Sequence, residues 1–209
     1  MELKLEKVAP VAGIVGPLIK VAADAYVAGR NPAYDLLNTS ISQLEAGPLG
    51  WVARVGTVVS SLFFIVLLSG LARDVLKGRR KSFYFLMLQP VFSIVSAIFP
   101  NDLLGAFHSF YGLIHSISAY VTFGTFPLMC FVLGFAFRHN QIWRSLYAYS
   151  IITGSLLIAL GIVRALLPLD LSWFGLYELI LVLFFGVWYG FVAARYLSLS
   201  RHPESSLQA

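Results

Sequence analysis

Three side chains of this sequence have the chemistry of a hydrolytic site: Ser42, Asp102 and His115. A serine hydroxyl becomes a nucleophile when a histidine accepts its proton, and a carboxylate can orient that histidine. A metal-bound water could serve as the nucleophile in place of the serine. Because these residues lie beside long apolar segments, the substrate of such a site would be a lipid. Intramembrane lipid hydrolysis is therefore one hypothesis for this chain.

Asp102, His108 and His115 are the candidate metal ligands. The two histidines are seven residues apart, so a continuous helix would separate them by about 10 Å along its axis. Zinc binds an imidazole nitrogen at about 2.0–2.1 Å, so a shared metal requires a break in the helix near Gly112. The single cysteine, Cys130, lies in an apolar run and is predicted to be a small buried core residue. The sequence therefore identifies no firm metal site and no cofactor.

Two further pairs of charged residues need partners if they lie within a membrane. Lys20 and Asp24 are spaced i, i+4 and are predicted to pair on one face of a helix. Arg164 and Glu178 flank the last turn between two apolar segments. They can supply each other with an opposite charge, so an ion pair that joins the two segments is expected.

The elements that must position these residues are six apolar segments. Hydrophobic residues make up 58% of the 209 residues and charged residues only 12%, with a mean hydropathy of +0.80. A soluble domain of this length has too little interior to bury so much apolar surface, whereas about 20 apolar residues span a bilayer as a helix. The predicted fold class is therefore all-α, with residues 1–209 forming a single integral membrane bundle of six transmembrane helices. The predicted spans lie near 8–29, 50–71, 82–99, 111–137, 142–167 and 173–197.

The loops between these spans carry an asymmetric charge. Most of the 15 basic residues fall on one side of a six-span arrangement, and the loop 73–81 is their densest cluster. The positive-inside rule assigns this side to the cytoplasm, which predicts a multi-pass protein of the cell membrane with both termini cytoplasmic. The net charge of +5 therefore reflects loop placement and does not indicate nucleic-acid binding. The basic side includes Lys4, Lys7, Arg79, Arg80, Lys81, Arg138, Arg144, Arg195 and Arg201, and the opposite side includes Asp35, Glu45, Asp102 and Asp170.

Polar residues within and beside the spans concentrate in the predicted outer half of the membrane. A bundle that only filled the bilayer would not need this asymmetry, so it predicts a polar cavity near the outer leaflet. We expect His115 to bond Asp102 or Glu178, because an unpaired buried ring is costly. The residues expected to converge on the cavity are Asp35, Ser42, Asp102, His115 and Glu178. The wider set of candidate cavity residues adds Asp24, Tyr34, His108 and Arg164.

Four short motifs, taken in order along the chain, resemble those of one family. The first contains Pro32, Tyr34, Asp35, Thr39, Ser42 and Leu44, the second Phe99, Pro100 and Asp102, the third His115, and the fourth the run Gly175-Leu176-Tyr177-Glu178. In this respect the chain is similar to the bacterial and archaeal multi-spanning family catalogued as domain of unknown function 998. The resemblance covers nearly the whole chain. It implies a six-span integral membrane protein of unassigned activity, and it implies no particular reaction.

Three functions are therefore open from the sequence. The first is a membrane protein that binds or moves a lipid or small solute through its outer cavity. The second is the intramembrane lipid hydrolase, and the third is a structural or accessory subunit in which the polar residues only join helices. Membrane lipid is the expected partner, and the sequence leaves any protein partner unknown.

Overall fold

Six long helices and one short helix make up the described part of the chain. The computed structural model describes residues 5–77, 80–102, 108–167 and 173–201. All helices except α2 are long and apolar enough to cross a membrane, which confirms the all-α fold class with six spans. The helices are α1 (Leu5–Arg30), α2 (Ile41–Ala46), α3 (Gly50–Val75), α4 (Arg80–Ile98), α5 (Phe110–Arg138), α6 (Tyr147–Leu166) and α7 (Phe174–Arg201), with a 3-10 turn at Arg144–Leu146 before α6.

The helix ends differ from the predicted span ends by a few residues at most positions. Hydropathy marks only the apolar part of a helix, whereas backbone hydrogen bonding continues into the headgroup region. The largest difference is at the fifth span, predicted to begin at 142, because the 3-10 turn delays the start of α6 to Tyr147. Three residues used to predict the orientation, Lys4, Arg79 and Asp170, lie outside the described residues.

The six long helices pack side by side in the order α7, α1, α3, α4, α5, α6. Successive long helices run in opposite directions, so α2 lies at the end of the bundle where α1 ends and α3 begins. We call this the α2 end. The first half of α6 packs on α5 and buries Ser150, Thr153, Gly154 and Leu157. The helices α6 and α7 make few contacts with each other, so theirs is the weakest contact between neighbouring helices of the bundle.

Small residues bring α1 close to both of its neighbours. A Cβ atom added at Gly13 would lie 2.6 Å from side-chain atoms of Ala193 on α7 and Leu67 on α3. A Cβ atom added at Gly70 would lie 2.7 Å from the Cβ of Ala9. Because lipid gives helices no hydrophobic reason to associate, close van der Waals packing of this kind holds them together. The first and last spans are therefore tightly joined, although they are far apart in sequence.

Aromatic side chains fill the bundle from its middle toward the end away from α2. Phe126 stacks on Phe185, and Phe64 stacks on Tyr189, each with ring centroids 3.8 Å apart. Cys130 is fully buried in the same core, as its apolar surroundings in the sequence predicted. This core closes the interior of the bundle, so the empty space of the interior lies between the core and α2.

Candidate functional site

A cavity lies between the aromatic core and the α2 end. Its volume is about 100 Å³, and it is partly open to the surroundings. Of the seven described helices, only α6 contributes no side chain to its wall. A partly open space of this size between helices can hold a small molecule or the head group of a lipid.

Helical periodicity explains why so many spans face this one cavity. On α3 the wall residues Thr57, Ser61 and Phe64 are spaced i, i+4, i+7, and on α7 Glu178 and Phe185 are spaced i, i+7. Residues at these spacings share one face of a helix. On both helices the polar residues are nearer to α2 and the phenylalanines nearer to the core. The wall is therefore polar near α2 and becomes largely aromatic toward the core, where Gln89 and Thr122 are its polar residues.

A capped loop positions α2 at one end of the cavity. The Ser40 hydroxyl accepts a bond from the Gln43 amide at 3.1 Å, and the Gln43 side chain accepts one from the Ser40 amide at 2.9 Å, forming a capping box. In the turn before it, Asp35 accepts bonds from the Asn38 side-chain amide and the Leu37 backbone amide. These bonds lower the pKa of the exposed Asp35 carboxyl below its ordinary value. Asp35 therefore stabilises the turn and does not line the cavity.

Lys20 connects α1 to α2 through a buried network of charges. Its Nζ lies 2.6 Å from Asp24 Oδ1 and 3.1 Å from Glu45 Oε1. The Thr57 hydroxyl of α3 donates to the same Glu45 oxygen at 2.6 Å. The predicted pair of Lys20 and Asp24 is confirmed, and Glu45 is a second partner on another helix. Three helices are thus joined through Glu45.

Glu178 connects α2 to the last span. Its carboxylate accepts a bond from the Ser42 hydroxyl at 2.8 Å and one from the Ser42 backbone amide at 3.3 Å. The predicted ion pair of Glu178 with Arg164 is wrong, because the guanidinium of Arg164 lies over the Phe174 ring, 5.2 Å from its centroid. Arg164 is on α6, which does not reach the cavity, whereas Glu178 is buried in the cavity wall.

His115 bonds to the backbone of α4 and not to a carboxylate. Its Nδ1 lies 2.9 Å from the carbonyl oxygens of both Ser96 and Phe99. The expectation that Asp102 or Glu178 would be its partner is therefore wrong. Carbonyl oxygens only accept, so Nδ1 carries the proton and donates it. The other ring nitrogen, Nε2, is buried and has no partner in the described part of the chain.

Two more buried polar atoms of the cavity wall lack partners among the described residues. They are the hydroxyl oxygens of Ser60 on α3 and Thr122 on α5. Both side chains are buried, and Thr122 is two helical turns from His115 on the same face. Three unpaired polar atoms, on residues of two different helices, therefore belong to the wall of one cavity.

Asp102 binds Ser109, the residue that caps the beginning of α5, and does not line the cavity. It accepts bonds from the Ser109 hydroxyl at 2.7 Å and the Ser109 amide at 2.8 Å, and these bonds hold the pKa of the Asp102 carboxyl below its ordinary value. His108 is exposed and precedes α5. Over the described ranges no three histidine, cysteine or acidic residues are grouped as they would be around a metal ion. The candidate ligands Asp102, His108 and His115 thus do not form a set.

The predicted hydrolytic residues also have separate partners. The Ser42 hydroxyl donates to Glu178, His115 donates to α4 carbonyls, and Asp102 accepts from Ser109. A nucleophilic serine needs a base within hydrogen-bond reach that is oriented by a third group. The arrangement of Ser42, His115 and Asp102 predicted from the sequence is not formed, because each residue already has another partner.

Three of the nine candidate cavity residues line the cavity: Ser42, His115 and Glu178. Asp24 is one bond away from it through Lys20. The residues that do not contribute to the wall are Asp24, Tyr34, Asp35, Asp102, His108 and Arg164. Ligand binding by the three that do stays a prediction.

Sequence reasoning missed the hydroxyl-bearing residues inside the spans. Ser61 on α3 and Ser93 on α4 bond each other at 3.1 Å across the cavity wall, and Ser96 lies one turn from Ser93. Their signal in the sequence is spacing, because serines and threonines at i, i+3 or i+4 inside an apolar run mark a polar face. Because these residues are uncharged, the pattern of charges along the chain does not reveal them.

Comparison with known proteins gives one match. A family model described as a protein of unknown function, DUF998, matches residues 14–195, a range that includes every residue lining the cavity. No curated protein and no solved structure matches the chain.

Proposed function

The chain belongs to the DUF998 family of proteins of unknown function, and we propose that it binds a lipid or a small polar solute in the cavity beneath α2. The cavity is bounded by α2 at one end and by aromatic side chains at the other. An occupant with a polar end and an apolar part fits this change in polarity along the wall. Binding is the proposed step, and movement of the molecule across the membrane is not required by it.

The observation that carries this proposal is the set of unpaired atoms on the wall. Five buried side-chain polar atoms of the described residues lack a partner, and three of them belong to Ser60, His115 and Thr122 of the cavity. Buried polar groups in native proteins are almost always paired with protein, water or ligand. In the apolar interior of a membrane protein an unpaired group is especially costly. An occupant with polar groups along its length would pair with these atoms.

Replacing Thr122 by valine tests the proposal, because valine keeps the shape and removes the hydroxyl. Loss of one hydrogen bond of about 1 kcal/mol should lower the affinity for the bound molecule about fivefold. The emptied protein should become more stable by about 1 kcal/mol, since an unsatisfied buried hydroxyl is removed. Native mass spectrometry of detergent-purified protein measures the fraction that retains a bound molecule, and thermal unfolding measures stability.

Thr125→Val is the matched control on the same helix. The Thr125 hydroxyl donates to the Val121 carbonyl at 2.6 Å and does not line the cavity. Loss of the Thr125 hydroxyl should leave the fraction of protein that retains a bound molecule unchanged. Equal retention in wild type and Thr122→Val, or the absence of any bound molecule from the wild type, would support a purely structural role for the cavity residues.

We further propose that the α2 end faces the outside of the cell membrane and that both termini are cytoplasmic. Basic residues cluster at the opposite end, which supports this orientation. In a His108→Cys variant the new thiol is exposed at the α2 end and should react with a membrane-impermeant maleimide in intact cells. In a Lys81→Cys variant the thiol lies at the other end and should react only after the cells are permeabilised.

The wild-type protein is the control for this labelling experiment. Its single cysteine, Cys130, is fully buried and should give no signal from either side. Labelling of Lys81→Cys in intact cells would reverse the proposed orientation.

A further inference from the structure

Two groups of the cavity wall, the His115 ring and the Glu178 carboxylate, are hydrogen-bond acceptors with unused lone pairs. Because Nδ1 of His115 donates to two carbonyl oxygens, Nε2 of the neutral ring offers a lone pair. The Glu178 carboxylate has about four lone-pair directions, and the described residues donate to it only from the amide and hydroxyl of Ser42. The hydroxyl oxygens of Ser60 and Thr122 can each accept as well. An occupant that donates hydrogen bonds therefore suits this wall.

The charges of the wall also favour an occupant that donates hydrogen bonds, and in particular a positively charged one. Lys20 is the basic residue of the wall, and it is already shared by Asp24 and Glu45. Glu178 is buried, and no basic side chain of the described residues lies within ion-pair distance of it. A buried carboxylate without a cation is unfavourable in a medium of low dielectric constant. The cavity thus lacks one positive charge beside Glu178.

We infer that the cavity binds a protonated amine attached to a hydrocarbon group, with Glu178 as its counter-charge and His115 Nε2 as a hydrogen-bond acceptor. An ammonium group carries a positive charge and three donors with no acceptor, which matches the wall in both respects. The apolar base of the cavity, where Phe123 and Phe185 lie, accommodates the hydrocarbon. A phosphate or carboxylate would be repelled by Glu178. This inference rests on the proposed binding function and specifies the class of ligand.

Binding of four simple probes to the full chain in detergent micelles tests this inference. Dodecylamine, dodecanol and dodecanoate differ only in the charge and donors of the head group, and ethanolamine carries the amine without the long chain. Isothermal titration measures saturable binding of each. We expect dodecylamine to bind about tenfold or more tightly than dodecanol, because a hydrogen bond to a charged group is stronger than a neutral one. Dodecanoate should bind most weakly.

A Glu178→Gln variant isolates the role of the counter-charge. Glutamine has nearly the same shape and still accepts bonds from Ser42, so the preference for the amine should disappear while dodecanol binding remains. The matched control is Glu6→Gln. Glu6 is half-exposed near the beginning of α1, away from the cavity, so this variant should bind the four probes as the wild type does. The comparison of probes on the unaltered protein tests the inference even if Glu178→Gln does not fold.

The outcomes separate the inference from the proposal beneath it. Ethanolamine binding as tight as that of dodecylamine would identify a small free amine, whereas binding of dodecylamine alone would identify the amine head group of a lipid or other amphiphile. Both results support an ammonium site. Equal or tighter binding of dodecanol or dodecanoate, or an amine preference that survives Glu178→Gln, would overturn the inference and leave a binding cavity. If none of the probes binds saturably, the inference fails, whereas the proposed binding function fails only if the purified wild-type protein also retains no bound molecule.

Discussion

Replacing Lys20 by methionine is expected to lower the stability of the protein by about 3–5 kcal/mol. Methionine occupies similar space but leaves the carboxylates of Asp24 and Glu45 without their shared cation. Removing one partner of a buried ion pair costs this much because the charge left behind is neither solvated nor paired. The three side chains are only 13%, 16% and 7% exposed, so solvent cannot replace the lysine. Thermal unfolding in detergent would show a lower midpoint.

Two comparisons make this prediction specific to the network. Lys7→Met removes an exposed lysine from the same helix and should change stability little. Adding Glu45→Gln to Lys20→Met should recover part of the loss, because one uncompensated charge is then neutralised. If Lys20→Met is no less stable than Lys7→Met, the buried network does not stabilise the bundle.

Replacing Gly175 by alanine should separate the beginning of α7 from the loop before α2. The added Cβ would lie 2.6 Å from the Thr39 carbonyl oxygen and 2.9 Å from the Leu36 carbonyl oxygen, and backbone atoms cannot rotate away from it. The hydrogen bond from the Leu176 amide to the Leu37 carbonyl, now 3.2 Å, should lengthen or break. Overpacking of this kind costs about 1–3 kcal/mol, which exceeds the gain of about 1 kcal/mol from helix propensity.

Gly190→Ala is the control for this prediction, because it makes the same change on the same helix. No atom lies within 4 Å of the position of its added Cβ, so the substitution should be neutral or stabilising. Unfolding midpoints of the two variants give the comparison. Equal stability of Gly175→Ala and Gly190→Ala would mean that the close approach of α7 to residues 36–39 is not needed for the fold.

Depth in the membrane could be predicted from the sequence, whereas rotation about the helix axes could not. Hydropathy located all six spans, and the i, i+4 rule located the pair of Lys20 and Asp24 because both residues are on one helix. Arg164 and Glu178 were expected to pair across the last turn, but they face different neighbours. Which face of α6 or α7 turns inward depends on packing between helices, and a single sequence does not encode that directly.

The candidate site was predicted incompletely for a related reason. His115 was expected to need a carboxylate, yet the end of α4 supplies backbone carbonyls of Ser96 and Phe99 that satisfy one ring nitrogen. Backbone partners carry no sequence signature. Glu45 was assigned to an outer loop, and the short helix α2 instead turns its side chain toward Lys20.

The two connections of α2 become possible at different times during synthesis of the chain. Lys20, Glu45 and Thr57 are all present once the first three helices have left the ribosome, and domains assemble from the N-terminus as the chain emerges. The hydrogen bond from the Ser42 hydroxyl to the Glu178 carboxylate cannot form until Glu178 has been synthesised, 136 residues later. The nascent protein therefore carries α2 attached on one side only until translation is nearly complete. A ribosome stalled after α6 would display a half-built pocket that the final helix has yet to close.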